Sequence, residues 1–344
     1  MLITLNQFKE KLHGYSITDC AVRNKQYFHF SARNQKESEN AGVLSEHTVS
    51  KREVGFYLDE PLEKRLGSTK VNNFERMQIG ATLEAKWNQV VCVDLDGQVY
   101  ARGNGEDKVE KRIPKSMEGP MRSAVVGIKT IQGRLYAVGG SNSVCYRVGP
   151  DQWQSLCLNL PMVKSEKEYT VDWASKNTFR DIDGFSFDDL YVVGGEGHVF
   201  HFDGKQWQQI AFPSNMYLHA VCCGGDGYVY IGAQSGALFK GRGDTWKKID
   251  NGGFSLPYKD MVWFKNQLWC TSDYGLWVLD EKGKIIDAPI PDEIKICSGN
   301  LSVGDDVMLM AGLGGAAYHD GQQWHLIFNA LKMSEQVEKQ SKHG

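Results

Sequence analysis

The sequence predicts an all-β fold, a single β-propeller built of four-stranded antiparallel sheets. Two observations carry that reading: a strand-and-turn grammar that recurs along the chain, and a tryptophan that closes its copies at a regular interval. The grammar is plainest in LYVVGGEGHVFHFDGKQW, from Leu190 to Trp207. Leu-Tyr-Val-Val has the β-branched and aromatic bias of a strand buried on both faces, and a Gly turn stops it. His198 to Phe202 forms a second short strand that ends at Asp203-Gly204, a dipeptide favoured in tight hairpins. Trp207 opens a third. One such meander buries too little apolar area to offset the ordering of its backbone, so it needs copies. They are present from Leu135 to Trp153, Tyr228 to Trp246 and Val307 to Trp324. Trp207 and Trp246 lie 39 residues apart, and Trp246 and Trp324 lie 78 apart, which is two periods. The missing copy falls at Ile285, after LWCTSDYGLWVLDEKGK, which keeps the same order of strand, turn and strand.

Units of about 40 residues with four strands each are the signature of a propeller blade. In chain order, Tyr27–Phe30 and Val54–Leu58 read as strands of a degenerate first unit, separated by a long polar loop from Arg33 to Glu46. Gln78 to Ile113 makes the second unit and Ala124 to Leu156 the third. Later units start near Asp183, Leu218, Lys259 and Asn300. Seven blades use nearly all of the chain and leave no open sheet edge; a six-bladed count, without the first unit, is the alternative. The expected organisation is a propeller over residues 1–328 and a polar tail over 329–344, a short helix fraying into disorder.

Composition agrees with a turn-rich globular β protein: 41% hydrophobic, 24% charged, 37 Gly. A net charge of −3 and the lack of a long Lys/Arg run give no pull toward nucleic acid or anionic membrane. The N-terminal stretch MLITLNQFKEKLHG lacks the apolar region of a secretory signal, so the expected location is the cytoplasm. Of the eight cysteines, Cys92, Cys145, Cys222, Cys223 and Cys270 fall within expected strands and none makes a CxxC pair; they read as buried small hydrophobes.

The sequence offers no catalytic, cofactor or metal site. Gly312-Leu313-Gly314-Gly315 is followed by neither a helix pattern nor Gly-Lys-Ser/Thr, and reads as a turn between strands rather than a phosphate loop. His198 and His201, three apart on a strand, point to opposite faces. Arg134, Arg147, Arg180 and Arg242 occupy unequal positions in their units and need not converge. Acidic pairs such as Asp188-Asp189 and Asp305-Asp306 sit at strand ends, where turns ordinarily carry Asp. An enzyme using the channel mouth would need three or more Arg, His or carboxylate groups facing one another.

The informative departure is an insertion. From Trp207 to Gly232 is 25 residues and from Trp246 to Ser272 is 26, but from Trp153 to Gly194 is 41, so about 15 residues are added within 162–181. Such a loop joins one blade's outer strand to the next blade's inner strand, at the end where partners dock. Tyr169, Trp173, Phe179 and Arg180 supply hot-spot residue types there, and equivalent connections add Met117, Met216, Tyr217, Phe254 and Tyr258. These nine are the candidate partner-binding residues; the Trp series reads as structural, wedged between blades.

Gly139-Gly140 with Tyr146 and Trp153, and Gly194-Gly195 with Trp207, follow the order of kelch repeats, which the chain resembles over most of 78–328. As a compact propeller with eroded repeats and no signal, it also resembles the immunity proteins of bacterial contact-dependent or type VI secreted toxins. That resemblance implies a non-enzymatic function: binding another protein, a cognate toxin, and occluding it, with no nucleic acid, membrane or cofactor. The alternatives are a propeller enzyme acting on glycans at the channel mouth and a kelch-like adaptor.

Overall fold

The computed structural model describes residues 1–163, 166–254 and 256–343. It is a seven-bladed β-propeller: seven four-stranded sheets, each a meander in sequence order. Blade 1 starts with the strand Tyr15–Asn24, blade 2 with Met77–Thr82, blade 3 with Val125–Ile131 and blade 4 with Phe179–Ser186. Blades 5, 6 and 7 start with Leu218–Cys223, Asp260–Phe264 and Asn300–Gly304. The degenerate first unit is therefore a complete blade, and Ile285 lies on the fourth strand of blade 6 (Ile285–Asp287), where the tryptophan period places it.

The chain divides into two compact units. The first comprises Met1–Ile79, Thr271–Trp277 and Asp287–Gly344. Its core joins Phe28, Phe30, Val54 and Phe56 of blade 1 to Leu309, Tyr318, Ile327 and Phe328 of blade 7. Helix α1 (Leu5–Lys11), capped by Thr4, sends Phe8 into this core. The expected long loop of blade 1 carries a short helix, α2 (Gln35–Glu39), and a 3₁₀ turn (Val43–Thr48). Between blades, the Val22 N–H donates to Ser302 Oγ (2.9 Å) and the Ile79 N–H to Asp19 Oδ2 (2.8 Å).

The C-terminal residues correct the expectation of a fraying tail. Ala330–His343 is a 14-residue helix whose Met333 and Val337, four apart and on one face, are buried with Phe8 and Phe328.

The second unit is Gly80–Cys270 with Val278–Ile286. Its cores lie between successive blades, and the tryptophans sit where the sequence placed them. Trp153 packs with Val91, Val99 and Ile113 of the preceding blade. Trp207 joins Tyr136, Val138 and Leu160, and its Nε1 donates to Leu156 O at 2.8 Å. Trp246 packs against the cluster of Tyr191, Val193 and Ile210. The glycine doublet has a steric cause: a Cβ on Gly194 would lie about 2.1 Å from Thr178 O, and one on Gly195 (φ +43°) 1.9 Å from Lys176 O. Backbone of the incoming connection occupies the space where a side chain would stand.

Candidate functional site

In a meander, the connection from a fourth strand to the next blade and the turn between second and third strands share one end. In the second unit this loop end carries the insertion. Residues 156–178 contain helix α3 (Val171–Lys176); Lys164 and Ser165 lie outside the described residues. Thr170 caps α3, accepting from the Trp173 N–H at 3.1 Å. Asn142, on the second turn of blade 3, holds the segment from below. Its amide donates to Pro161 O (3.0 Å) and Asn177 Oδ1 (2.9 Å), and its backbone N–H to Asn177 O (2.8 Å). Burial holds the pKa of His198, on the third strand of blade 4, below the usual histidine value. Lys176 pairs with Glu196 at 3.5 Å, and Ser175 Oγ meets Tyr217 Oη at 3.1 Å. The insertion is thus fastened at both ends.

On this scaffold Tyr169 and Trp173 pack ring to ring at 5.5 Å, Tyr169 exposed and Trp173 half-buried. Met117 is exposed; Met216, Tyr217 and Phe254 are half-buried; Arg180 is exposed on the innermost strand of blade 4. Two of the nine expected residues do not belong to the surface. Phe179 is fully buried, pairing with Gly194 on the second strand of blade 4 and meeting Phe200 edge-on, because the strand starts four residues before the expected Asp183. Tyr258 is 1% exposed, with the Phe254 ring at 5.8 Å. Sequence reasoning missed Leu158 and Val171 on the same connections, both exposed, Val171 at 89%.

The opposite end of the unit handles its rings differently. Arg134 covers Phe187 at 4.1 Å, Lys240 covers Tyr228 at 4.1 Å, and Arg242 covers Phe185 at 4.0 Å while bonding Asp189. Arg147 is buried against Glu110 and Gln89. His201 stacks on Tyr191 and bonds Asp189, a structural role.

A second cluster, also missed, lies where the innermost strands of blades 3 to 6 meet. Lys129 Nζ is 3.4 Å from Asp181 Oδ2, 3.8 Å from Asp260 Oδ1 and 3.3 Å from Val221 O. Burial works against its charge, but the carboxylates of Asp181, Asp260 and Asp183 outweigh it and hold the pKa above the usual lysine value. Burial raises that of Asp183. Three carboxylates do meet here, the count that an enzymatic channel would need. Yet each is engaged by backbone: Asp181 accepts from the Ile182 and Val221 N–H groups, Asp183 from those of Gly184 and Cys223, Asp260 from that of Met261. Asp181 and Asp183 staple blade 4 to blade 5, and Lys129 neutralises the staples. A lysine held so firmly protonated is not poised as a base. The signal was available: Asp at i and i+2 inside FRDIDGFS is rare in a strand interior.

The sheets, the loop-end apolar set and the stapled interior define a β-propeller with a rigid, partly apolar connection face. Solved propellers share the fold. The streptogramin B lyase structure aligns with a TM-score of 0.58 at 9% identity, over 91% of this chain and 94% of that one. The WD40 domain of Doa1 gives 0.55 at 8%, over 88% and 92%. The RRP9 WD40 repeats give 0.55 at 11%, over 92% of each chain. No family model matches the chain, so the kelch resemblance stays at the level of its Gly and Trp order. The immune protein Tsi7 of Pseudomonas aeruginosa is 30% identical over 241 residues, 70% of this chain and 76% of that protein. The chain belongs to the family of immune protein Tsi7.

Proposed function

We propose that the protein is a cytoplasmic, non-enzymatic immunity protein that binds a protein toxin and occludes it through the loop end of the second unit. Membership of the Tsi7 family supports the toxin-immunity reading. The observation that carries the choice of surface is the apolar set around α3, whose exposed members Met117, Leu158, Tyr169 and Val171 are gathered at the loop end, while rings at the other end lie under cations. Pre-formed anchors of this kind bind without first being ordered.

The test is co-expression with the toxin encoded beside the chain's own gene. Wild type protects the cell and co-purifies with that toxin. A variant combining Tyr169→Ala, Trp173→Ala and Arg180→Glu keeps its melting temperature and loses both properties. Full protection by that variant would move the interface elsewhere; a wild type that protects against no such toxin would end the reading.

A further inference from the structure

The two most exposed large apolar side chains described lie in the first unit, on the loop between the second and third strands of blade 1. Val43 and Leu44 are consecutive and are 90% and 92% exposed. Their loop is fixed in place. Asn34 caps α2, and the Glu37 carboxylate accepts from both the backbone N–H and the hydroxyl of Ser50, at 2.5 and 3.1 Å. Gly42 and Ser45 bond each other across the tip.

Glu46 pins the base. It takes Arg33 through Nε (3.0 Å) and Nη2 (2.5 Å), and Lys51 at 3.3 Å. Lys51, 2% exposed, also donates to Glu46 O (2.6 Å) and Val49 O (2.9 Å). A lysine is withdrawn from water only when its protons are all bonded, and here each has a partner. The fold gains nothing from holding two solvated apolar side chains in one shape. A binding surface does, because their ordering then precedes the encounter.

Charge says what kind of surface the finger meets. A shallow cleft beside its base is lined by Thr18, Ala32, Arg33, Lys51, Arg76 and Met77. Arg33 and Lys51 are both committed to Glu46, and Glu75 lies 3.6 Å from His47. Arg76 is exposed, and no carboxylate pairs with it among the described residues. We propose that Val43 and Leu44 form a finger that enters an apolar pocket of the protein toxin, and that Arg76 pairs with a toxin carboxylate at the pocket's edge. The inference rests on the toxin-immunity reading and adds a contact that the sequence did not indicate.

Titration calorimetry of the full chain against the toxin identified by co-expression tests it. Leu44→Asp should weaken binding by about thirty-fold or more, the size of a hot-spot loss, and Arg76→Glu by about ten-fold. Both side chains are solvated, so both variants should melt with the wild type. A Leu44→Cys variant carrying an environment-sensitive dye should shift to the blue on adding toxin, and this decides the matter should Leu44→Asp unfold. Wild-type affinity in Leu44→Asp, or an unshifted dye, overturns the finger and leaves toxin immunity standing. A wild-type chain that binds no such toxin removes both.

Discussion

Replacing Lys129 by methionine tests whether the channel cluster is a staple. Methionine keeps the length and apolar stem of the side chain and removes only its charge and its bonds to Asp181, Val221 O and Met261 O. The side chains of Lys129, Asp181 and Asp260 are 17%, 16% and 22% exposed, so screening by water is weak. Removing one partner of such a buried pair costs about 3–5 kcal/mol, since the charge left behind has lost its compensation. At about 2.1 cal/mol/K of unfolding entropy per residue, a chain of 344 residues loses about 4–7 °C of melting temperature. The pH dependence identifies the cause. Burial already raises the pKa of the Asp183 carboxyl and Lys129 opposes that rise, so without the cation the folded state binds the Asp183 proton more tightly still. The deficit is then small near pH 4 and grows as pH rises through the folded value of Asp183. Melting curves from pH 4 to 8, by calorimetry, measure this. A Lys129→Met protein as stable as wild type at pH 8, or one whose deficit does not change with pH, would refute the staple.

Three other outcomes follow from the same packing. Trp207→Ala removes an indole 2% exposed and its bond to Leu156 O, and should cost about 3–5 kcal/mol in denaturant melts. Burial lowers the pKa values of His198 and His219, so the folded state disfavours their protonation; stability is whole above about pH 6.5 and falls as pH drops below it, a fall that His198→Asn with His219→Asn should flatten. Deleting residues 330–344 strips Met333 and Val337 from Phe8 and Phe328, and at about 1.5–3 kcal/mol per buried side chain should lower the melting temperature by several degrees.

The repeat was legible because its causes are local. Gly139 and Gly194 must be glycine, since a Cβ would meet Ala124 O and Thr178 O at about 2 Å, and the tryptophans recur because each blade repeats one packing problem. The long connection was legible as a region, since the inserted length announced it, but which of its side chains reach the surface was not. Phe179 and Tyr169 are equally good interface residues by type; only the register that pairs Phe179 with Gly194 buries it. The C-terminal helix read as a polar tail because its apolar stripe is narrow, and the α1 face that completes it lies more than 300 residues away in sequence. Nothing in the sequence singled out Lys129, because its three carboxylates come from other blades.

Under the proposed function these elements divide stability from recognition, and the division can be tested by crossing them. Inter-blade order rests on side chains that bond to backbone: Asp19 to Ile79, Asp181 to Val221, Asp183 to Cys223 and Ser302 to Val22. A backbone acceptor or donor is present whatever the neighbouring side chain, so the staples tolerate change around them. The connection face makes few such bonds through its exposed residues; Met117, Tyr169 and Val171 contribute area rather than order. Lys129→Met should therefore lower the melting temperature while leaving toxin affinity within about two-fold at 20 °C, and the triple change at Tyr169, Trp173 and Arg180 should do the reverse. Tyr169 and Trp173 share no partner with Lys129, so Lys129→Met combined with Tyr169→Ala and Trp173→Ala, and with Arg180 beside Asp181 left unchanged, should show both losses at full size. A combined melting temperature well above or below the Lys129→Met value would mean that the insertion and the channel are one cooperative structure, and that the connection face helps to hold the blades it was thought only to decorate.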